Sequence, residues 1–142
     1  MRTHLPNYFM KRFTVKFILC VVACCNIFIS TAQQFVTSIE AEAGTRAGGL
    51  TIATAIAGYS GAGYVTNMKN AGDNLTVTVT VPNAGNYSLV IRYNGTSGTK
   101  DQDVYVNGQF VSSLNFPQTT TYTDLTAGSL SLNAGANTIS IY

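Results

Sequence analysis

From Leu75 to Val81 apolar and polar residues alternate strictly. Leu75, Val77, Val79 and Val81 fall on one face, and Thr76, Thr78 and Thr80 on the other. Tyr87, Leu89, Ile91 and Tyr93 repeat the pattern. Successive side chains of an extended backbone point to opposite faces, so this period predicts two half-buried β-strands. Pro82-Asn83-Ala84-Gly85 lies between them, and this cluster of turn formers predicts an antiparallel hairpin. Asn107-Gly108 predicts a second hairpin, between Val104-Tyr105-Val106 and Phe110-Val111, because Asn-Gly tolerates the positive φ angles of a type I′ turn. Further strands are expected near Phe35–Glu42, Leu50–Ala55, Gly63–Thr66, Leu125–Leu132 and Thr138–Tyr142. No stretch carries a sustained helical period. Turn formers recur at intervals of roughly 8–12 residues, as in a two-sheet antiparallel β-sandwich.

The first 32 residues differ from the rest. Lys11, Arg12 and Lys16 precede the apolar run Phe17–Ile29, which at thirteen residues falls short of the roughly 20 needed to span a bilayer. Ser30-Thr31-Ala32 then supplies small residues for cleavage before Gln33. This is the pattern of a secretory signal peptide, with a folded domain of residues 33–142 behind it. Val21-Val22-Ala23-Cys24 also fits a lipobox, which would anchor the chain at a membrane through Cys24. The run stays apolar beyond that cysteine, so plain export to the extracellular space is the favoured reading.

Removing the leader reverses the charge. The whole chain carries +2, but Arg2, Lys11, Arg12 and Lys16 belong to the leader, leaving four bases against six acids. A net charge of −2 offers no electrostatic footprint for nucleic acid. His4 and all three cysteines (Cys20, Cys24, Cys25) also lie in the leader. The domain therefore has no residues for a zinc site, thiol catalysis, a Ser-His-Asp triad or a disulfide. An enzyme is therefore not expected, and the chain is expected to act as a monomer.

Seven segments then fall in a telling order: Ile39-Glu40-Ala41-Glu42, Gly58-Tyr59-Ser60-Gly61-Ala62-Gly63-Tyr64-Val65, Gly72-Asp73, Val81 to Tyr87, Ile91-Arg92-Tyr93, Val104 to Gly108, and Leu132 to Ile139. Together they resemble the family 35 carbohydrate-binding modules and their family 6 relatives. The resemblance implies a jelly-roll-like, galactose-binding-like β-sandwich that binds polysaccharide or oligosaccharide and carries structural calcium. Two departures stand out. The family's Trp after the Phe-Pro dipeptide is replaced, since Phe116-Pro117 leads to Tyr122 and Leu125 and the chain has no Trp. The family's terminal loop and strand, with an Asn for sugar and an Asp for calcium, would follow Tyr142, so the resemblance implies a truncated module lacking its last strand.

A sugar ring offers an apolar C–H face and a rim of hydroxyls, so its site needs an aromatic platform and hydrogen-bonding groups. Tyr64 and Tyr122, which match family positions beside Gly- or Thr-rich loops, are the expected platforms. Tyr59 is the alternative to Tyr64, and a place in the core is the competing reading for both Tyr64 and Tyr122. Asn94, expected in a loop after Arg92-Tyr93, is a candidate hydrogen-bonding residue. Tyr87, Tyr93 and Tyr105 alternate with apolar neighbours and are expected in the sheets.

Glu40 and Glu42, two apart on an expected strand, would face one way. That geometry suits an acid/base pair, a hard-cation site or plain surface charge; the resemblance implies calcium. Asp101 and Asp103 are expected as solvated edge charges in a loop, where they discourage strand aggregation. The functional expectation is a non-catalytic module anchoring an attached secreted enzyme to polysaccharide. The alternative is a structural or adhesive cell-surface sandwich without a sugar site.

Overall fold

The computed structural model describes residues 37–142. The expected signal peptide, Cys24 and the start of the Phe35–Glu42 strand lie outside the described residues. Those that are described contain nine β-strands: β1 (Thr45–Ala47), β2 (Thr51–Ala53), β3 (Tyr64–Thr66), β4 (Asn74–Val81), β5 (Gly85–Asn94), β6 (Lys100–Val106), β7 (Gln109–Phe116), β8 (Tyr122–Leu132) and β9 (Gly135–Ile141). All pairings are antiparallel. A five-stranded sheet runs β1-β4-β9-β6-β7, and β5 pairs with β8 in a separate ribbon, as β2 does with β3.

Alternation explains the two layers. Val79 and Val81 of β4, Val104 and Val106 of β6, and Ile139 of β9 point inward from the five-stranded sheet and meet Leu130 and Leu132 of β8. Tyr87 and Leu89 of β5 close the same core. Each such side chain removed from water contributes roughly 1.5–3 kcal/mol, which is why the period-two segments settle with these faces together.

The expected hairpin between the Leu75–Val81 and Tyr87–Tyr93 segments does not form. β4 pairs with β1 and β9, whereas β5 pairs with β8, so Pro82-Asn83-Ala84 carries the chain from one layer to the other. Both strands have an apolar face to bury, and facing each other across the core buries both; Tyr87 Oη donates to Asn83 O at 2.7 Å over the crossing. The Asn107-Gly108 hairpin forms as expected, with φ of 51° and 79° at the two residues and Val106 paired with Gln109. Asp101 and Asp103 lie on β6, inside the sheet, not in an edge loop. Asn115 Nδ2 donates to Asp101 at 2.7 Å and Ser113 Oγ donates to Asp103, so both acids serve cross-strand pairs with β7.

One carboxylate organises the other end of the chain. Asp73 is only 3% exposed and accepts hydrogen bonds from the backbone N–H groups of Gly49 (2.6 Å), Lys69 (2.9 Å) and Asn70 (2.8 Å). These donors, Gly49 foremost, lower its pKa from 3.8 to about 2. A depressed folded-state pKa stabilises the fold above the unfolded value and loses that stabilisation as pH falls through the folded one. The melting-temperature gap between wild type and Asp73→Asn is therefore expected to be full above about pH 4 and to shrink towards pH 2. A gap constant from pH 6 to pH 2 would contradict this role for the carboxylate.

Candidate functional site

The connection between β2 and β3 brings Tyr59 against Tyr64, which opens β3; their ring centroids are 6.0 Å apart. Tyr64 in turn meets Tyr122 at 6.2 Å with an interplanar angle of 71°, the edge-on arrangement that ring quadrupoles favour. The expected platforms are thus brought together, with Tyr59 as a third member. Tyr122 lies on a strand, not in a loop: it is the first residue of β8, half-buried and register-paired with Asn94. The Gly58 backbone approaches it so closely that a Cβ there would lie 3.2 Å from Tyr122 Cδ2. Its Oη is buried and has no hydrogen-bond partner among the described residues. Burial, then the neighbouring Tyr64 and Tyr59, push the Tyr122 hydroxyl pKa up.

Asn94 closes β5 rather than standing in a loop. Its Oδ1 accepts the Thr96 N–H at 3.2 Å. Beyond it, the Gly95 N–H donates to Thr119 Oγ1 at 2.8 Å and Tyr93 Oη donates to Pro117 O at 3.0 Å, so the segments flanking the β5–β8 ribbon are tied together. Tyr93 also packs edge-on against Phe116, and Tyr105 against Phe110, as expected for sheet residues.

Two further residues adjoin the cluster. Arg92 places its guanidinium carbon 5.8 Å from the Tyr122 ring centroid and pairs with Asp124 at 3.3 Å. Arg92 belongs to the Ile91-Arg92-Tyr93 segment, whereas Asp124 falls outside all seven motif segments. The available signal was alternation, which turns Arg92 outward between inward-facing Ile91 and Tyr93.

Glu40 and Glu42 do not share a strand. Glu40 is extended, and Ala41–Ala43 forms a single 3₁₀ turn. Both carboxylates nevertheless converge on residues 60–62. Ser60 Oγ donates to Glu40 Oε2 at 2.8 Å, and the Ala62 N–H donates to Glu42 Oε1 at 2.7 Å. Gly61 sits between them with φ of +65°; a Cβ there would lie 2.2 Å from Glu42 Oε1 and 3.1 Å from Glu40 Cγ. Only glycine fits. Backbone N–H donors, its own first and then those of Ala62 and Gly63, hold the Glu42 carboxyl below its ordinary range. Two carboxylates with no soft ligand have the chemistry of a hard-cation site. Among the described residues no third Asp, Glu, His or Cys joins them. Calcium takes six to eight oxygens, so carbonyls and water would have to supply the remainder.

The comparisons with known proteins converge. A mannan endo-1,4-β-mannosidase B of Piromyces sp is 36% identical over 123 residues, covering 87% of this chain and 22% of that protein. The crystal structure of the Podospora anserina GH26-CBM35 β-(1,4)-mannanase matches with a TM-score of 0.69 at 39% identity, over 72% of this chain and 23% of that one. The structure of a CBM35 from Paenibacillus barcinonensis matches with a TM-score of 0.68 at 31% identity, over 74% of this chain and 85% of that one. The chain thus spans about a fifth of the mannan-degrading relatives and most of the isolated module. The family model for carbohydrate binding module family 35 matches residues 7–142. This chain belongs to the family 35 carbohydrate-binding modules.

Proposed function

We propose that the chain is a non-catalytic, secreted, monomeric module that holds an attached enzyme against β-1,4-mannan. The observation that carries this reading is the meeting of Tyr59, Tyr64 and Tyr122 beside Asn94: apolar ring surface next to a hydrogen-bonding group, as a sugar requires. The mannan-degrading activities in the names of two relatives supply the polysaccharide class. Tethering raises the local concentration of the attached enzyme without chemistry in the module. Catalysis by Glu40 and Glu42 is disfavoured, because a general acid needs a raised pKa and Glu42 is held low.

Glu40 and Glu42 are instead proposed as calcium ligands that fix the loop carrying Tyr59 and the approach to Tyr64. Bound calcium would supply charge neutralisation for two carboxylates directed at one glycine. Export follows from the leader pattern, with membrane attachment only if Cys24 is lipidated. No helix among the described residues is long and apolar enough to cross a membrane.

The test is affinity electrophoresis of the mature chain through gels with and without β-mannan, paired with melting curves in calcium and in chelator. Retardation by mannan and a higher melting temperature in calcium are expected. A ligand bound only to the folded state adds about 2.7 kcal/mol at a hundredfold excess over Kd. The calcium response should vanish in Glu40→Gln/Glu42→Gln. Migration unaffected by mannan or any other polysaccharide would defeat the binding reading; a melting temperature indifferent to calcium would defeat the calcium reading alone.

A further inference from the structure

We infer that Arg92 and Asp124 form a reader of adjacent sugar hydroxyls at the rim of the tyrosine cluster, selecting a neutral hexose. The inference rests on the sugar-site reading above and goes further by assigning the specificity contact. Arg92 and Asp124 are register partners across the β5–β8 ribbon, with Tyr93 and Thr123 between them and the Asn94–Tyr122 pair. Tyr122, Asp124, Arg92 and Asn94 occupy alternate positions, so all four share the outer face, opposite the core-facing Tyr87 and Leu89. The guanidinium carbon lies over the Tyr122 ring, 5.8 Å from its centroid, so the ion pair adjoins the platform directly.

The chemistry of the pair suits a diol. Arg92 and Asp124 are 52% and 60% exposed, and a single N–H···O contact of 3.3 Å joins them. A guanidinium has five N–H donors and a carboxylate two acceptor oxygens, so most of this capacity faces solvent. Two adjacent hydroxyls can donate to the carboxylate and accept from the guanidinium at once. An exposed pair of this kind adds little to stability, which frees it for recognition. Charge decides the class of sugar. Asp124 neutralises Arg92, so the pair presents no net positive charge to hold an anionic sugar.

The experiment measures retention on β-mannan gels for wild type, Arg92→Ala, Asp124→Asn and Tyr122→Ala, with melting curves for each. Methyl mannoside and its 2-deoxy and 3-deoxy analogues serve as soluble competitors. Arg92→Ala and Asp124→Asn should each lower retention about tenfold with unchanged melting. Wild type should favour the parent mannoside over at least one deoxy analogue by about tenfold, and Asp124→Asn should treat the two alike, because the hydroxyl and its reader are coupled. Loss of retention in Tyr122→Ala alone would overturn the reader and leave the sugar site standing. Wild-type retention in all three variants would overturn the sugar site and the reader with it. Reduced retention with undiminished preference for the parent mannoside in Asp124→Asn would reduce the pair to a support for the ring and overturn recognition. Arg92-dependent retention on polygalacturonate in place of mannan would overturn neutral selectivity.

Discussion

Asn137→Ala is expected to lower stability by about 3 kcal/mol, more than any single truncation at the rim of the sugar site. Asn137 is 1% exposed, and its side chain uses every donor and acceptor it has. Oδ1 accepts from Asn107 Nδ2 at 2.9 Å and from the Asn133 N–H at 3.0 Å. Nδ2 donates to Asn133 O at 2.8 Å and to Gly135 O at 3.1 Å. Alanine would leave those four partner groups short of a bond in a place that water reaches poorly, at roughly 1–3 kcal/mol for each that stays unsatisfied. The turn between β8 and β9 and the tip of the β6–β7 hairpin would loosen together, since Asn107 Oδ1 also accepts the Thr138 N–H at 2.9 Å. For a domain of this size the melting temperature should fall by on the order of 15 °C. Asn107→Gly keeps the positive φ at the turn and removes only one side of the network, so its fall should be clearly smaller. A shift under about 3 °C in Asn137→Ala would show that the network contributes little.

How much of this was legible beforehand depends on how local each feature is. The Asn107-Gly108 turn was readable because the φ angles it needs are a property of those two residues. The strands Leu75–Val81 and Tyr87–Tyr93 were readable because alternation is a property of seven consecutive positions. Their pairing was not. A short Pro-Asn-Ala connection serves a hairpin and a crossing between layers equally well, and only the partner strands β8 and β9, much later in the chain, decide between them.

The site shows the same division. The conjunction of Glu40 and Glu42 was expected for the wrong reason: they meet because the Ser60-Gly61-Ala62 backbone passes between them, not because they share a strand face. Tyr64 and Tyr122 were picked out one by one by their loops and motif positions. Asp124 was missed because nothing near it in sequence sets it apart; its meaning comes from Arg92, 32 residues earlier. Asp73 and Asn137 each bond to neighbours within four residues, and the one distant partner of each, 24 and 30 residues away, is what ties separate segments together.

Tyr122→Ala should abolish retention on β-mannan, a loss of at least tenfold, whereas Tyr122→Phe and Tyr122→Trp separate the causes. The ring is half-buried against Tyr64 and Gly58, so alanine should also cost about 1–2 kcal/mol, below the 3–5 kcal/mol of a fully buried aromatic deletion. Retention must therefore be compared at a temperature where the variant remains folded. Phenylalanine removes only the Oη, which is buried without a partner among the described residues. If that hydroxyl does no more than sit in its pocket, Tyr122→Phe should be neutral or more stable by about 1 kcal/mol and bind as well as wild type. A Tyr122→Phe variant that gains stability yet loses retention would instead give the Oη a part in setting the ring for sugar. Tryptophan enlarges the stacking face and restores the residue that the family resemblance implies after Phe116-Pro117, so Tyr122→Trp should bind more tightly than wild type. Equal retention of wild type and all three folded variants would remove Tyr122 from the site, and with it the reason to place mannan at this edge of the ribbon.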